Sequence, residues 1–225
     1  KNDRERTELL FEKESPYQEK WYRFVIYIPS TNKSVAPSKL HFIQWRTLSK
    51  PGKVVMMFMQ LGPGLIFHRS ADSFRDSYLL LVSEHNLYDR WIEIIFNTNW
   101  HHDPTKGFTK VWVDGEMKVD FQGPSYPQSK ESFSPRKQSF SLRYGLYSSY
   151  LSVYKNVSGK TVIPTREVFF DGVKSERSCE KLLSDTQKCQ KIQKQTVRYY
   201  TEYKYTNKRR HLPKDLRRIP SSSFK

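Results

Sequence analysis

In the stretch Ser139-Phe-Ser-Leu-Arg-Tyr-Gly-Leu-Tyr147, a cation, a glycine and a phenol stand at alternate positions. Side chains alternate between the faces of a strand, so Arg143 and Tyr147 point the same way. Gly145 lies between them and leaves a gap where a ligand can approach the backbone. A fixed cation beside a phenol suits β-elimination on an acidic sugar. The cation neutralises the sugar carboxylate and favours the phenolate, and the phenol moves protons. Taken alone, the stretch is explained more simply by a buried tyrosine and a surface arginine on an ordinary strand.

Other residues offer chemistry less directly. His101-His102 precede Asp103-Pro104, but adjacent histidines on a strand face opposite ways and further ligands are missing, so zinc is disfavoured. Asn97 shares a strand face with Trp91, Glu93 and Asn99 and is a candidate for hydrogen bonds to sugar. Asn32-Lys-Ser34 and Asn156-Val-Ser158 fit the glycosylation pattern, which also arises by chance. No Gly-x-Ser-x-Gly elbow and no phosphate-cradling glycine loop occurs. A glycosidase needs two carboxylates across a cleft, and only Glu93 reads as inward-facing, so hydrolysis is disfavoured.

The elements that must position these residues are mostly strands. At 225 residues the chain can bury a sizeable core, and the pattern from Arg6 to Lys174 is of short β runs with turn punctuation. Candidate strands include Lys20–Ile28, Lys39–Arg46, Val54–Leu61, Leu65–His68, Trp91–Asn99, Ser139–Tyr147 and Arg166–Val173. Asp114-Gly115 predicts a two-residue hairpin, and Gly62-Pro63-Gly64 a second tight reversal. Gly123 to Gln138 reads as a loop bordering a cleft. Helical periodicity is absent until Ser178. From there to about Tyr200, Leu182, Leu183, Ile192 and Val197 fit one helix with a weak apolar stripe. The basic end beyond it, with Lys208-Arg-Arg and Arg217-Arg218, is expected to be mobile.

The formal net charge of +16 calls for an anionic partner. It is unevenly spread: residues 174–225 carry 15 Lys and Arg against 5 Asp and Glu, and residues 1–173 carry 24 against 18. No apolar run is long enough for a membrane-spanning helix. The residues include no signal peptide, although strand-like sequence follows the first residues at once, as if a segment preceded them. Cys179 and Cys189 would lie about 15 Å apart on one helix, so their pairing requires a turn between them. Two such cysteines permit an exported protein without proving one.

Arg6-Thr-Glu-Leu9, Trp21-Tyr-Arg-Phe-Val-Ile-Tyr-Ile-Pro29 and Phe42-Ile-Gln-Trp45 occur in the order seen in the heparin lyase, glucuronan lyase and alginate lyase families. Trp91–Trp100, Gly107–Gly115 and Leu142–Tyr147 resemble the next parts of that pattern, and Glu167–Val173 resembles its closing strand. The resemblance spans roughly residues 4–174. It implies an all-β fold: a β-jelly-roll sandwich of two curved antiparallel sheets over residues 1–174, with substrate in a concave groove. Residues 175–225 would form a basic, partly helical C-terminal extension. The implied activity is that of a polysaccharide lyase cleaving a uronate-containing polymer. Tyr147 matches the family's acid–base tyrosine, Arg143 a lysine four residues earlier, and Gln44 the glutamine that neutralises the uronate. Arg6 matches an arginine lining the same groove.

One departure stands out. Many relatives have Gln-x-His where this chain has Gln44-Trp45-Arg46, so the usual histidine base is missing there. Arg46 cannot accept a proton at neutral pH but can clamp a carboxylate. His68 is the best substitute base, although a polar residue at a strand end is the simpler account. With Tyr147 acting alone the expectation leans towards D-uronates, in which the C5 proton and the C4 oxygen lie on one side of the ring. No cofactor is expected, although Asp171 could serve a structural calcium. The expected partner is an anionic polysaccharide, met by a secreted or periplasmic monomer. A carbohydrate-binding sandwich without catalysis is the alternative. A nucleic-acid binder using Arg198-Tyr-Tyr-Thr-Glu-Tyr-Lys-Tyr205 lacks any recognised motif.

Overall fold

A computed structural model describes residues 3–32, 34–48, 52–70, 76–126, 139–203 and 216–221. In chain order its elements are β1 (Arg4–Glu14), β2 (Glu19–Tyr27), β3 (Lys39–Thr47), β4 (Val54–Leu61), β5 (Gly64–Arg69), β6 (Ser77–Ser83), β7 (Trp91–Asn99), β8 (Phe108–Val113), β9 (Glu116–Gln122), β10 (Phe140–Ser149), α1 (Leu151–Ser158), β11 (Phe169–Glu176), α2 (Cys179–Leu183), α3 (Thr186–Gln193), β12 (Tyr199–Tyr203) and β13 (Leu216–Pro220). Two antiparallel sheets result. The larger runs β1-β10-β3-β4-β5-β6-β12-β13 and the smaller β11-β2-β7-β8-β9. This is the jelly-roll sandwich, with no closed barrel.

Alternation builds the core between the sheets. Tyr22, Phe24 and Ile26 from β2 and Ile94 and Phe96 from β7 meet Phe42, Trp45, Phe58 and Phe67 from the larger sheet. Trp45 is the hub, with its ring centroid 4.5 Å from Phe96 and 5.2 Å from Tyr22. The rings differ in tilt, as edge-to-face packing favours. The Asp114-Gly115 turn has both residues at positive φ, 51° and 79°, which fits the short hairpin between β8 and β9.

The sequence beyond Lys174 behaves differently from the expectation of one helix and a mobile end. Ser184, at φ 54°, ends α2, and the Asp185 side chain caps α3. That reversal brings Cys179 and Cys189 to a Cα separation of 5.8 Å, and they are disulfide-bonded. The two helices cover Trp21, Ile95, Trp112 and Met117 on the outer face of the smaller sheet. Trp112 Nε1 donates to the Ile192 carbonyl at 3.0 Å. The chain then crosses to the other layer. Tyr200 enters the main core, and β12 pairs with β6 at Glu202–Leu79. Arg217 lies in β13 and pairs with Glu202. Lys208-Arg-Arg and residues 127–138 of the expected cleft loop lie outside the described residues. The short helix α1 has no counterpart in the sequence reading, since its eight residues bury only Leu151 and Tyr154.

Candidate active site

The larger sheet carries its chemistry on the face turned away from the main core, here called the site face. Its geometry depends on irregularities in β3 and β10. Opposite β4, His41 pairs with Met59 and Ile43 with Phe58, so Phe42 is an inserted residue. Opposite β10, Tyr144 pairs with Ile43 and Tyr147 with His41, so Gly145 and Leu146 together face Phe42. Insertions of this kind are β-bulges, which re-aim side chains. Phe42 and Ile43 both point into the core, and His41 joins Gln44 and Arg46 on the site face.

Two cross-strand rows follow from the register. One runs Arg6, Tyr147, His41, Met59, Ile66 and Leu80. The other runs Leu10, Arg143, Gln44, Met57, His68 and Tyr78. Directly opposed residues of an antiparallel pair share a face, so the rows bring Arg6, Arg143, Gln44 and Tyr147 together. Arg46 shares this face, although its Nη2 donates to the Gly52 carbonyl at 2.8 Å and steadies the turn into β4.

His41 is the residue that sequence reading missed. Its ring lies 5.0 Å from that of Tyr147, centroid to centroid. It is only 5% exposed, and neither ring nitrogen has a hydrogen-bond partner among the described residues. Burial, helped by Lys39 and His68, pushes its pKa down to about 3, so the imidazole is neutral at physiological pH. Strict alternation puts residues 41 and 44 on opposite faces. The pattern Leu-His-Phe-Ile-Gln-Trp-Arg over 40–46 nevertheless contains a signal, because two apolar residues in succession interrupt it.

Glu8 is the second residue missed. It pairs with Gly145 in register, and Gln44 Nε2 donates to its Oε1. Arg6 Nε stands 3.8 Å from its Oε2. Burial raises the carboxyl pKa, and the opposing pull of Gln44, Arg6, Arg143 and Arg46 does not reverse this. The gap at Gly145 is therefore spanned by Glu8. The glycine itself is required by φ 132° and by the Thr7 carbonyl, which a Cβ would meet at 2.3 Å.

Farther across the sheet, the His68 ring stacks on Tyr78 at 4.3 Å and its Nε2 lies 3.5 Å from Asp76 Oδ1. The imidazole beside it holds the Asp76 carboxyl down to about 2. Lys39 Nζ donates to the Tyr78 hydroxyl at 3.3 Å, and burial pushes the ammonium pKa down to about 8. His68 is thus on the site face, separated from Tyr147 by β3 and β4.

Asn97 is not on this face. Alternation groups it correctly with Glu93 but leaves open which way the group points. Both lie on the outer face of the smaller sheet. The Asn97 amide, 3% exposed, donates to Glu19 and the Lys20 carbonyl, and Glu93 pairs with Arg23 and Lys188. Asp171 is exposed on the same sheet. Asn32 is buried, with its Oδ1 accepting from Glu167 N, and is closed to modification. His102 Nδ1 lies 3.3 Å from the Tyr17 hydroxyl and 3.5 Å from that of Tyr126. Among the described residues, no three His, Cys, Asp or Glu side chains gather as a metal-binding set. No described helix is long and apolar enough to cross a membrane.

Comparison with known proteins extends the geometry. The family model described as polysaccharide lyase matches residues 1–174. Among solved structures, the chain is similar to the endo-β-1,4-glucuronan lyase of the fungus Trichoderma reesei, at 16% identity and a TM-score of 0.54, with 73% of this chain and 70% of that chain covered. It is also similar to the family 7 alginate lyase A1-II′ in complex with product, at 9% identity and a TM-score of 0.53, with 79% and 74% covered. No curated protein sequence matches. At these identities the structural likeness shows the fold.

Proposed function

Because the chain belongs to the polysaccharide lyase family, we propose that it cleaves a uronate-containing polysaccharide by β-elimination on the site face of the larger sheet. The observation that carries this reading is the Arg6–Tyr147–His41 row, in which a phenol lies between a guanidinium and a neutral imidazole without a hydrogen bond among the described residues. The solved relatives, one a glucuronan lyase and one an alginate lyase, support an acidic polymer as substrate.

In the proposed reaction Arg6, Arg143 and Gln44 neutralise the uronate carboxylate, and Arg46 adds positive charge. Withdrawing that charge acidifies the C5 proton, which Tyr147 removes as phenolate. The C5–H electron pair becomes the C4–C5 double bond as the C4–O bond breaks. Tyr147 then returns its proton to the departing oxygen. His41 revises the expectation of an unaided tyrosine. As a neutral imidazole of low basicity it can accept a hydrogen bond from the Tyr147 hydroxyl and orient it, a role that a permanent cation at Arg46 cannot fill, while the surrounding guanidinium groups favour the phenolate. The one-sided chemistry favours D-uronates. The Cys179–Cys189 disulfide supports action outside the reducing cytosol.

The test is incubation with glucuronan, alginate, hyaluronan and heparin while following the ultraviolet absorbance of unsaturated uronate. A rise with at least one polymer, lost in Tyr147→Phe, is expected. Binding without any rise would leave the carbohydrate-binding alternative in its place, and full activity of Tyr147→Phe would eliminate the mechanism.

A further inference from the structure

Glu8 places a negative charge among the cations that are to receive a negative sugar. It sits on β1 opposite Gly145, and with no side chain at that position it reaches across β10 to Gln44 on β3. Its side chain is 5% exposed. One oxygen accepts from Gln44. The other, Oε2, has no hydrogen bond among the described residues, only the Arg6 guanidinium at 3.8 Å. The charged groups acting on it are Arg6 from its own strand, Arg143 from β10 and Arg46 from β3. A buried carboxylate oxygen without a donor is uncommon, because its desolvation is uncompensated.

Resting on the reading of the site face as a uronate site, we propose that Glu8 takes up one proton from solvent as a uronate carboxylate docks, and then donates a hydrogen bond to that carboxylate through Oε2. Two carboxylates sharing one desolvated site do not both remain ionised, and one holds the proton between them. Gln44 can supply at most one further N–H to the sugar, since its other is committed to Oε1. The neutral acid provides the missing donor without a fourth cation. It also carries the charge balance: the incoming anion is matched by the proton, so the guanidinium groups are not left competing between two carboxylates. The free carboxyl is already displaced in this direction, because burial raises its pKa.

The test measures proton uptake directly. In a Tyr147→Phe background, which prevents turnover, glucuronan and mannuronan tetrasaccharides are titrated calorimetrically in buffers of different ionisation heat. Uptake approaching one proton per site is expected near neutral pH, with affinity falling about tenfold per pH unit on the alkaline side. Adding Glu8→Gln, which keeps an acceptor for Gln44 and a permanent donor for the sugar, should abolish the uptake and flatten the pH dependence. Binding without proton uptake in the parent would show that Glu8 only positions Gln44, and would overturn the proposal even if Glu8→Gln did not fold. Uptake that persists in Glu8→Gln would assign the proton to another group and overturn it too. The absence of any binding heat would overturn the uronate reading itself, a result distinct from binding without protons.

Discussion

The buried imidazole of His41 makes stability depend on pH in a way that can be isolated. In the folded chain its pKa lies at about 3, against an ordinary 6.5. The folded state therefore keeps the ring neutral while the unfolded chain takes up a proton. The unfolded state binds more protons between these values, so stability is fully present above pH 6.5 and is lost as pH falls towards 3. At pH 5 the unfolded imidazole is almost wholly protonated. With ~1.4 kcal/mol for each unit below 6.5, the loss between pH 7 and pH 5 is about 2 kcal/mol from this residue. Burial depresses His68 in the same direction and raises Glu8 in the opposite one, so the whole protein's pH profile does not report His41 alone. The comparison is therefore between the parent and His41→Met, each unfolded in urea at pH 7 and pH 5 and followed by tryptophan fluorescence. Both proteins keep His68 and Glu8, and their difference cancels those terms. The parent should lose about 2 kcal/mol more than the variant over that range. Equal losses would refute the reasoning and show that water or another partner satisfies the ring in either protonation state.

Two further perturbations probe the scaffold. Gly145→Ala forces a Cβ onto the Thr7 carbonyl at positive φ and should cost about 1–3 kcal/mol. It should also lower substrate affinity by displacing β1 with Arg6 and Glu8, as thermal denaturation and the initial rate of ultraviolet absorbance would show. Replacing both Cys179 and Cys189 with alanine opens a link of sequence separation 10 and should cost about 3 kcal/mol by chain entropy, read as a lower urea midpoint.

Much of the sandwich was legible because alternation is a local property. Lys39–Thr47 and Phe140–Ser149 match runs whose apolar residues mark one face, and Asp114-Gly115 carries its turn in its backbone preferences. Arg143 and Tyr147 shared a face on the same argument. Alternation assigns parity, however, and not direction. Asn97 and Glu93 were grouped correctly, yet the layer they face is fixed by Trp21 and Trp112 packing under α2 and α3. His41 escaped for a related reason. A bulge changes parity midway along β3, and it becomes definite only when β4 and β10 pair with it. The single helix expected after Ser178 failed because the apolar stripe continues through a sequence that a left-handed Ser184 and a capping Asp185 divide.

The segment beyond Lys174 also bears on the order in which the protein is made. The sandwich strands through β11 precede most of it in the chain, yet among the described residues Trp21 and Trp112 are covered by α2 and α3, and the edge of β6 by β12. During synthesis an almost complete jelly roll therefore exposes two stacked tryptophans and an unpaired strand edge, features that promote association between chains. Those surfaces stay open until residues 179–203 have been made and have packed. The extension thus helps to keep the finished sandwich from associating with other copies of itself.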